Sequence, residues 1–514
     1  MIQRKIIVCM LALLLLLGCG MPMTIHAAEQ AASKVLLIYD SLDKGTTREG
    51  NVEAMQRLLA SYGVQVTLVR SDHYQRGQMD AYAKVIGIHN LTDLKESNQD
   101  FLQDVEQYRG DYLHIGTRVP AAVTASLELR VHTGVPGPIR IAIDRLVQEA
   151  IRTEQVTIIE HAVGTRYGSL SPAGAPSEFP YGVQNGRYGY AAYFERGNIS
   201  ELAMSHLLKD WLGKAGEARS YVIFKEVYPF SDLQLLERLA DRMYEVGIPF
   251  IASVQPVFMN TDYPAMKRYM ETLKYVQSRN GSIIANAPVV ASTVNLSDTT
   301  LKGKMEGFID VLADYGIAPL GLGADFYWTY DQRYAEEGMS FTDSVVLFPN
   351  KTLKYRIQTN ESKAFPFSAF SMQPGFLEQF GHSGTFMPAM PMNTALTFDF
   401  PDTEEKLDDI VERLQSSWIS FSDYKHASHT VRTPNSIIMS RSGSVTINGQ
   451  GVNLDVVIKK VSSDYVYKEK EVKSFETLFN VQNKIFIVII VLTLIAFTGF
   501  LIVGKRLYKR KYYK

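Results

Sequence analysis

From residue 219 onward the chain alternates short apolar runs with amphipathic stretches at a steady beat, and this beat restricts the fold more than any other feature. "SYVIF" leads to "SDLQLLERLADRMYEVG", "IPFIASV" to "YPAMKRYMETLKYVQSRNG", and "SIIAN" to "LKGKMEGFIDVLADYG", which runs into "IAPLGLG". Runs of four to eight apolar residues read as buried strands, and the longer 3.6-period stretches as helices. Ser231 is placed to cap a helix N-terminus, and Gly247, Gly281 and Gly316 fall where each helix must turn into the next strand. Repeated strand and helix units of this size predict parallel strands, closed into a barrel or laid out as a doubly wound sheet. The fold class is therefore α/β.

A second alternating region lies upstream. "KVLLIY", "VQVTLV" and "AKVIGIH" read as buried strands, and "EGNVEAMQRLLASYG" as the helix after the first. "DYLHIG" and "VTIIE" are expected to extend the same parallel sheet. Residues 162–198, rich in Gly, Pro and Tyr, have no helical period and are expected to form an irregular segment or small hairpin that closes this domain. Beyond residue 331 the pattern loosens until "TALTFDF", "DTEEKLDDIVERLQ" and "SWISF" supply one more unit. "SIIMSRSGSVTINGQGVNLDVVIKKV" then alternates apolar and polar residues with Gly turns, which predicts antiparallel strands.

The chain has 514 residues and a formal net charge of -1, with acidic and basic residues interspersed, so it offers no electrostatic footprint for nucleic acid. Arg4 and Lys5 precede the apolar run 6–17, the pattern of a secretory signal over 1–28. Cleavage after Ala27 or Ala28 and lipidation of Cys19 both fit. Cys9 and Cys19 are the only cysteines, so the body of the chain has neither disulfide nor thiol ligand. Residues 485–504 carry no charge and are long enough to cross a bilayer core of about 30 Å. Lys505, Arg506, Lys509, Arg510, Lys511 and Lys514 follow, which marks the cytoplasmic side. The expected order is a signal (1–28), a flavodoxin-like or Rossmann-like parallel-sheet domain (33–215), a (β/α) barrel (219–465), a charged stalk (466–484), a transmembrane helix (485–504) and a basic cytoplasmic tail (505–514). That order describes a single-pass cell-membrane protein with its body outside the cytoplasm.

The stretch "YVIFKEVYPFSDLQLLERLADRMYEVGIPFIASVQPVFM", with "ETLKYVQSRNGSIIAN" and "ADYGIAPLGLGADFYW", resembles the polysaccharide-deacetylase superfamily, and within it an exported branch. The resemblance covers about 219–422 and implies a deformed (β/α) barrel. In that superfamily an Asp and two His hold a divalent ion, a neighbouring Asp acts as base, and a later His protonates the leaving amine. Where the Asp pair belongs, this chain has Lys225 and Glu226; where the two metal-binding His belong, Asn286 and Val290. Asp325, Phe326 and Tyr327 stand where the superfamily has Pro-His-Tyr, and Asp399 near its terminal His. An ammonium repels a divalent cation, so Lys225 argues against the metal chemistry.

Other residues offer further chemistry. Glu226, Asp325 and Asp399 all follow strands, and paired carboxylates at a barrel mouth serve glycoside hydrolysis. Asp423, His426 and His429 in "DYKHASH" have helical spacing for one ion. Residues 40–51, "DSLDKGTTREGN", resemble the phosphate loop of flavodoxin-like domains, although no flavin or other cofactor is expected. Phe326, Tyr327, Trp328 and Tyr330 are candidates for stacking on sugar rings. The function expected is non-catalytic: binding or guiding an exopolysaccharide beside envelope synthase or export proteins. The alternatives are a carbohydrate hydrolase using Glu226, Asp325 and Asp399, or a structural envelope protein that recruits partners.

Overall fold

A computed structural model describes residues 33–90, 98–133, 137–153, 155–172, 174, 177–259, 261–288, 300–350, 360–382, 389–454 and 475–512. The expected signal segment, Cys19 and Val290 lie outside these residues. The chain divides into two compact units, 1–459 and 460–514.

In the first unit, strands β1 (Lys34–Tyr39), β2 (Gln65–Arg70), β3 (Lys84–His89) and β4 (Asp111–Gly116) are parallel, in the spatial order β2-β1-β3-β4. Alternate residues of each strand enter different cores: Leu37, Ile86 and Leu113 meet the helices Asn51–Ser61 and Ser200–Trp211, while Leu36, Val85 and Tyr112 meet Gln99–Gln107 and Ala121–Ser126. Burial on both faces explains why these strands read as unbroken apolar runs.

Beyond β4 the expectation of a purely parallel sheet gives way. The next strands are β5 (Arg130–Thr133), β6 (Gly137–Ile143), β7 (Leu146–Thr153), β8 (Thr157–His161), β9 (Thr165–Pro172), β10 (Phe179–Asn185) and β11 (Tyr188–Ala191). "VTIIE" does not join the main sheet: β8 pairs antiparallel with β5 in a two-stranded sheet of its own. Residues 162–198 take the hairpin alternative and not the irregular one: β9, β10 and β11 are successive antiparallel strands, they join the main sheet, and β11 lies parallel to β4. The Tyr residues that suggested a loop, Tyr181, Tyr188, Tyr190 and Tyr193, are buried along with Phe194.

Strands β12 (Ser220–Val227), β13 (Phe250–Val254), β14 (Gly281–Asn286), β15 (Pro319–Asp325), β16 (Ser344–Phe348), β17 (Phe367–Met372) and β19 (Thr394–Asp399) form a closed barrel of seven parallel strands. Helices Leu233–Glu245, Pro264–Ser278 and Thr300–Asp314 link the first four. The first is capped by Asp232, not by Ser231: the Asp232 carboxylate accepts from the backbone N–H of Gln234 and Leu235. "SWISF" is not a strand; Phe421 makes one bridge to Ser220. The expected antiparallel tail is present as β20 (His429–Arg432), β21 (Ile437–Arg441), β22 (Ser444–Ile447) and β23 (Gln450–Gly451).

The barrel reaches back into the upstream sheet at both of its edges. Past β16, the Asn360 carbonyl accepts from Leu68 N at 2.7 Å, and Ser362 N donates to the Val66 carbonyl at 2.9 Å, which closes the free side of β2. Past β17, the two-residue strand β18 (Gly381–His382) pairs with β7 at the opposite edge, so the main sheet has ten strands. Helix Asn51–Ser61 lies between the lobes, and its Ala60 belongs to the barrel core. From the same helix Arg57 donates to the Ser371 carbonyl at 2.9 Å, covers the Phe370 ring at 3.7 Å, and stands 3.9 Å from Glu201. Burial lowers the Arg57 pKa to about 10 and raises that of Glu201.

The second unit is described by the helix Phe475–Tyr512, in which Lys484–Leu507 is long and apolar enough to cross a membrane. Thr493 and Thr498 return their hydroxyls to the Ile489 and Leu494 carbonyls, so neither leaves a donor open within that run.

Removing Arg57 strands a buried carboxylate. Arg57→Met should lower stability to urea by about 3–5 kcal/mol. A carboxyl with a raised pKa favours the folded state at low pH and loses that contribution as pH climbs through the raised value. The deficit of the variant should therefore be largest near neutrality and shrink on acidification toward the carboxylate range, as read from urea titrations at several pH values.

Candidate functional site

The C-terminal ends of the barrel strands deliver side chains to one mouth, as parallel barrels do. Between Phe224 and Val227 the β12 register shifts, and within that irregularity Glu226 adopts φ 65°. This left-handed conformation costs a residue with a Cβ about 1–2 kcal/mol. Lys225, in register with Asp399 of β19, points its ammonium across the mouth. Its Nζ lies 3.0 Å from Asp399 Oδ1, 3.8 Å from Glu226 Oε1, and 5.9 Å above the Phe348 ring. The Lys225 side chain is 13% exposed, against 37% for Glu226 and 70% for Asp399.

The interior behind this pair is packed. Ser253 donates to Asn286 Oδ1 at 2.9 Å, and the Asn286 amide donates to the Ala287 carbonyl. Gly323 makes room for them: a Cβ there would stand 2.8 Å from the Phe348 ring and 2.9 Å from Ser253 Oγ. Asn286 is thus committed within the protein, and an ammonium occupies the strand end where an anionic ligand would be needed. The residues present do not fit a divalent ion. Among the described residues no three His, Cys, Asp or Glu side chains stand close enough to hold one. Asp325, at the end of β15, is in register with Phe348.

The other expected metal set is dispersed into structural roles. Asp423 accepts from Lys425 N, and its Oδ1 lies 3.0 Å from Lys425 Nζ. His426 lies against Gly443. His429 is buried, stacked on Tyr424 at 3.9 Å; its Nε2 donates to the Tyr424 carbonyl, and its Nδ1 is 2.8 Å from Ser344 Oγ.

The aromatic platform expected at Phe326, Tyr327 and Trp328 is a correction, because these rings are core. Trp328 stacks on Tyr334 at 4.6 Å, Phe326 meets Tyr330 edge-on, and burial pushes the Tyr327 hydroxyl up to about 12. A 3-10 turn over Phe326–Thr329 folds the segment inward. Tyr330 is partly exposed and receives a hydrogen bond from Asn350 at 3.1 Å. The open rings are elsewhere, in the loops after β12 and β13. Phe230 is 72% exposed and stacks on Tyr228 at 4.8 Å, while Phe258, Met259 and Tyr263 are exposed on the neighbouring loop. Sequence reasoning passed over Phe230 because "YPFSD" reads as a turn. The only hint was a bulky apolar residue immediately before a helix cap.

In the upstream sheet, loop 40–51 is held by the protein itself. Asp40 Oδ1 accepts from Ser41 N and Asn90 N, and Gly45 N donates to Glu49. Arg48 lies across the strand ends, donating to the Asn90 and Gln155 carbonyls. The cavity left beside it is about 20 Å³, room for about one water. A flavin-sized ligand does not fit.

No protein-family profile matches the chain, and no curated protein does. Among solved structures it is similar to a family 4 carbohydrate esterase from Bacillus anthracis, with 11% identity, a TM-score of 0.23, and coverage of 40% of this chain and 80% of that one. A peptidoglycan N-acetylglucosamine deacetylase gives 9% identity, a TM-score of 0.25, and coverage of 40% and 86%. A family 30 subfamily 8 xylanase from Clostridium acetobutylicum gives 13%, 0.25, and coverage of 45% and 80%. At such scores the likeness carries no weight for fold or chemistry.

Burial depresses two imidazoles, His429 to about 4 and His114 to about 3. A lowered His pKa stabilises the fold above the ordinary value of about 6.5 and loses that contribution as pH falls toward the lowered value. Stability should therefore decline between about pH 6.5 and 4, and His429→Gln should flatten part of that slope in urea midpoints measured across the range.

Proposed function

We propose that the chain is an extracytoplasmic, membrane-anchored member of the exported deacetylase-like branch that binds a polysaccharide at the barrel mouth without cleaving it. The observation that carries this reading is Glu226, held at φ 65° beside the Lys225 and Asp399 pair. Backbone strain of this kind persists where a side chain has to be aimed, and it concentrates at binding and catalytic positions. The ammonium of Lys225 neutralises part of the carboxylate charge and leaves hydrogen-bonding groups suited to hydroxyls. Phe230 and Tyr228 add an exposed ring pair of the kind that stacks on the apolar faces of sugars. The helix Lys484–Leu507 supplies the membrane anchor, with its basic end in the cytoplasm. A synthase or export assembly in the envelope is the partner such a binder would serve.

The test is a paired measurement on the detergent-solubilised full chain. Glycine accepts the left-handed conformation without a Cβ penalty, so Glu226→Gly should gain up to about 1 kcal/mol against urea. The same variant should bind β-linked oligosaccharides at least tenfold more weakly by calorimetry. Phe230→Ala should weaken binding with little change in stability. Binding unchanged in both variants would defeat the proposal, and reducing-end release from the oligosaccharide, abolished by Asp399→Asn, would establish a hydrolase instead.

A further inference from the structure

The helix that carries the apolar run does not stop where the run stops. It continues to Tyr512, and in its last turns Lys505, Arg506, Lys509 and Arg510 are exposed. At 100° per residue, these four side chains fall within an arc of roughly 140°, as two i, i+4 pairs side by side. At 1.5 Å per residue, they span only about 7.5 Å along the axis. The apolar run 485–504 is about 30 Å long at the same rise, which matches the hydrocarbon core. Headgroup layers bring a bilayer to about 40–45 Å, or some 5–7 Å beyond the hydrocarbon on each side. Lys505 and Arg506 therefore fall inside the headgroup layer, and Lys509 and Arg510, about 7.5–9 Å past the run, stand at its outer edge, from which long side chains reach back to the lipid phosphates. The other end of the run has a single flanking cation, Lys484, and Glu476 follows within the same helix.

From this placement we infer that Lys505, Arg506, Lys509 and Arg510 form a binding site for the phosphate headgroup of an anionic phospholipid in the cytoplasmic leaflet. The inference rests on the membrane anchoring proposed above. Two adjacent i, i+4 pairs present ammonium and guanidinium donors from neighbouring rows, so one phosphodiester can be held by both, with guanidinium favoured for bidentate contact.

The full chain is reconstituted into vesicles of phosphatidylcholine mixed with phosphatidylglycerol, and bound lipids are counted by native mass spectrometry after release. Phosphatidylglycerol adducts should exceed phosphatidylcholine adducts. Each neutralised cation should reduce that preference about fivefold, and the Lys505→Gln, Arg506→Gln, Lys509→Gln, Arg510→Gln variant should show none. Equal adducts of both lipids on wild-type chain that floats with the vesicles and resists carbonate extraction would overturn the site while leaving the anchor intact. Chain that fails to float or is extracted by carbonate would overturn the anchor and the site together. Preference retained by the fourfold variant would also overturn the site.

Discussion

The fold depends on one helix serving two cores. Asn51–Ser61 covers the upstream parallel sheet through Val52, Met55, Leu58 and Leu59, and gives Ala60 to the barrel core. Arg57 makes the arrangement specific. A guanidinium has no chemical reason to be buried unless its donors are met, and here a barrel carbonyl, an aromatic face and a carboxylate from the helix Ser200–Trp211 meet them from different directions. Sliding one lobe past the other by one residue would break the two contacts with the barrel, Ser371 and Phe370, while Glu201 travels with Arg57, so the pairing of the lobes is fixed by polar geometry in addition to area.

The barrel mouth follows a related logic on a smaller scale. Asp399 and Glu226 would repel each other across the closure of β12 on β19, and the Lys225 ammonium between them turns that repulsion into a local net attraction. The closing seam of the barrel therefore carries a charged cluster. Ser253 and Asn286 are paired behind it, and the Phe348 ring lies beneath it.

Much of this was legible before any coordinates. Strands buried on both faces announce themselves as apolar runs, and glycines such as Gly247 and Gly316 end helices because their φ is positive, 70° and 75°. Lys225 and Glu226 were named from the sequence as neighbours at a strand end, whereas the closer partner of the ammonium, Asp399, was visible only through strand register. The Tyr-rich segment was legible as a hairpin but not as part of the main sheet, because the join of β11 to β4 is a contact between residues distant in sequence, and local period carries little of that information. The aromatic residues failed for another reason: composition distinguishes rings from other side chains, but a 3-10 turn decides whether Trp328 faces water or Tyr334. Phe230 is exposed by that kind of local geometry, and no periodicity announces it.

The two edge closures of the ten-stranded sheet have a consequence for how the protein must be made. Its central strands are complete when Ala191 has been synthesised, yet the segments that cover its edges, Asn360 to Ser362 and Gly381–His382, come only after most of the barrel. At roughly 5–20 residues per second, the upstream sheet spends on the order of ten seconds or more with both flanks able to recruit another chain. The barrel is in this sense the sheet's late-arriving chaperone.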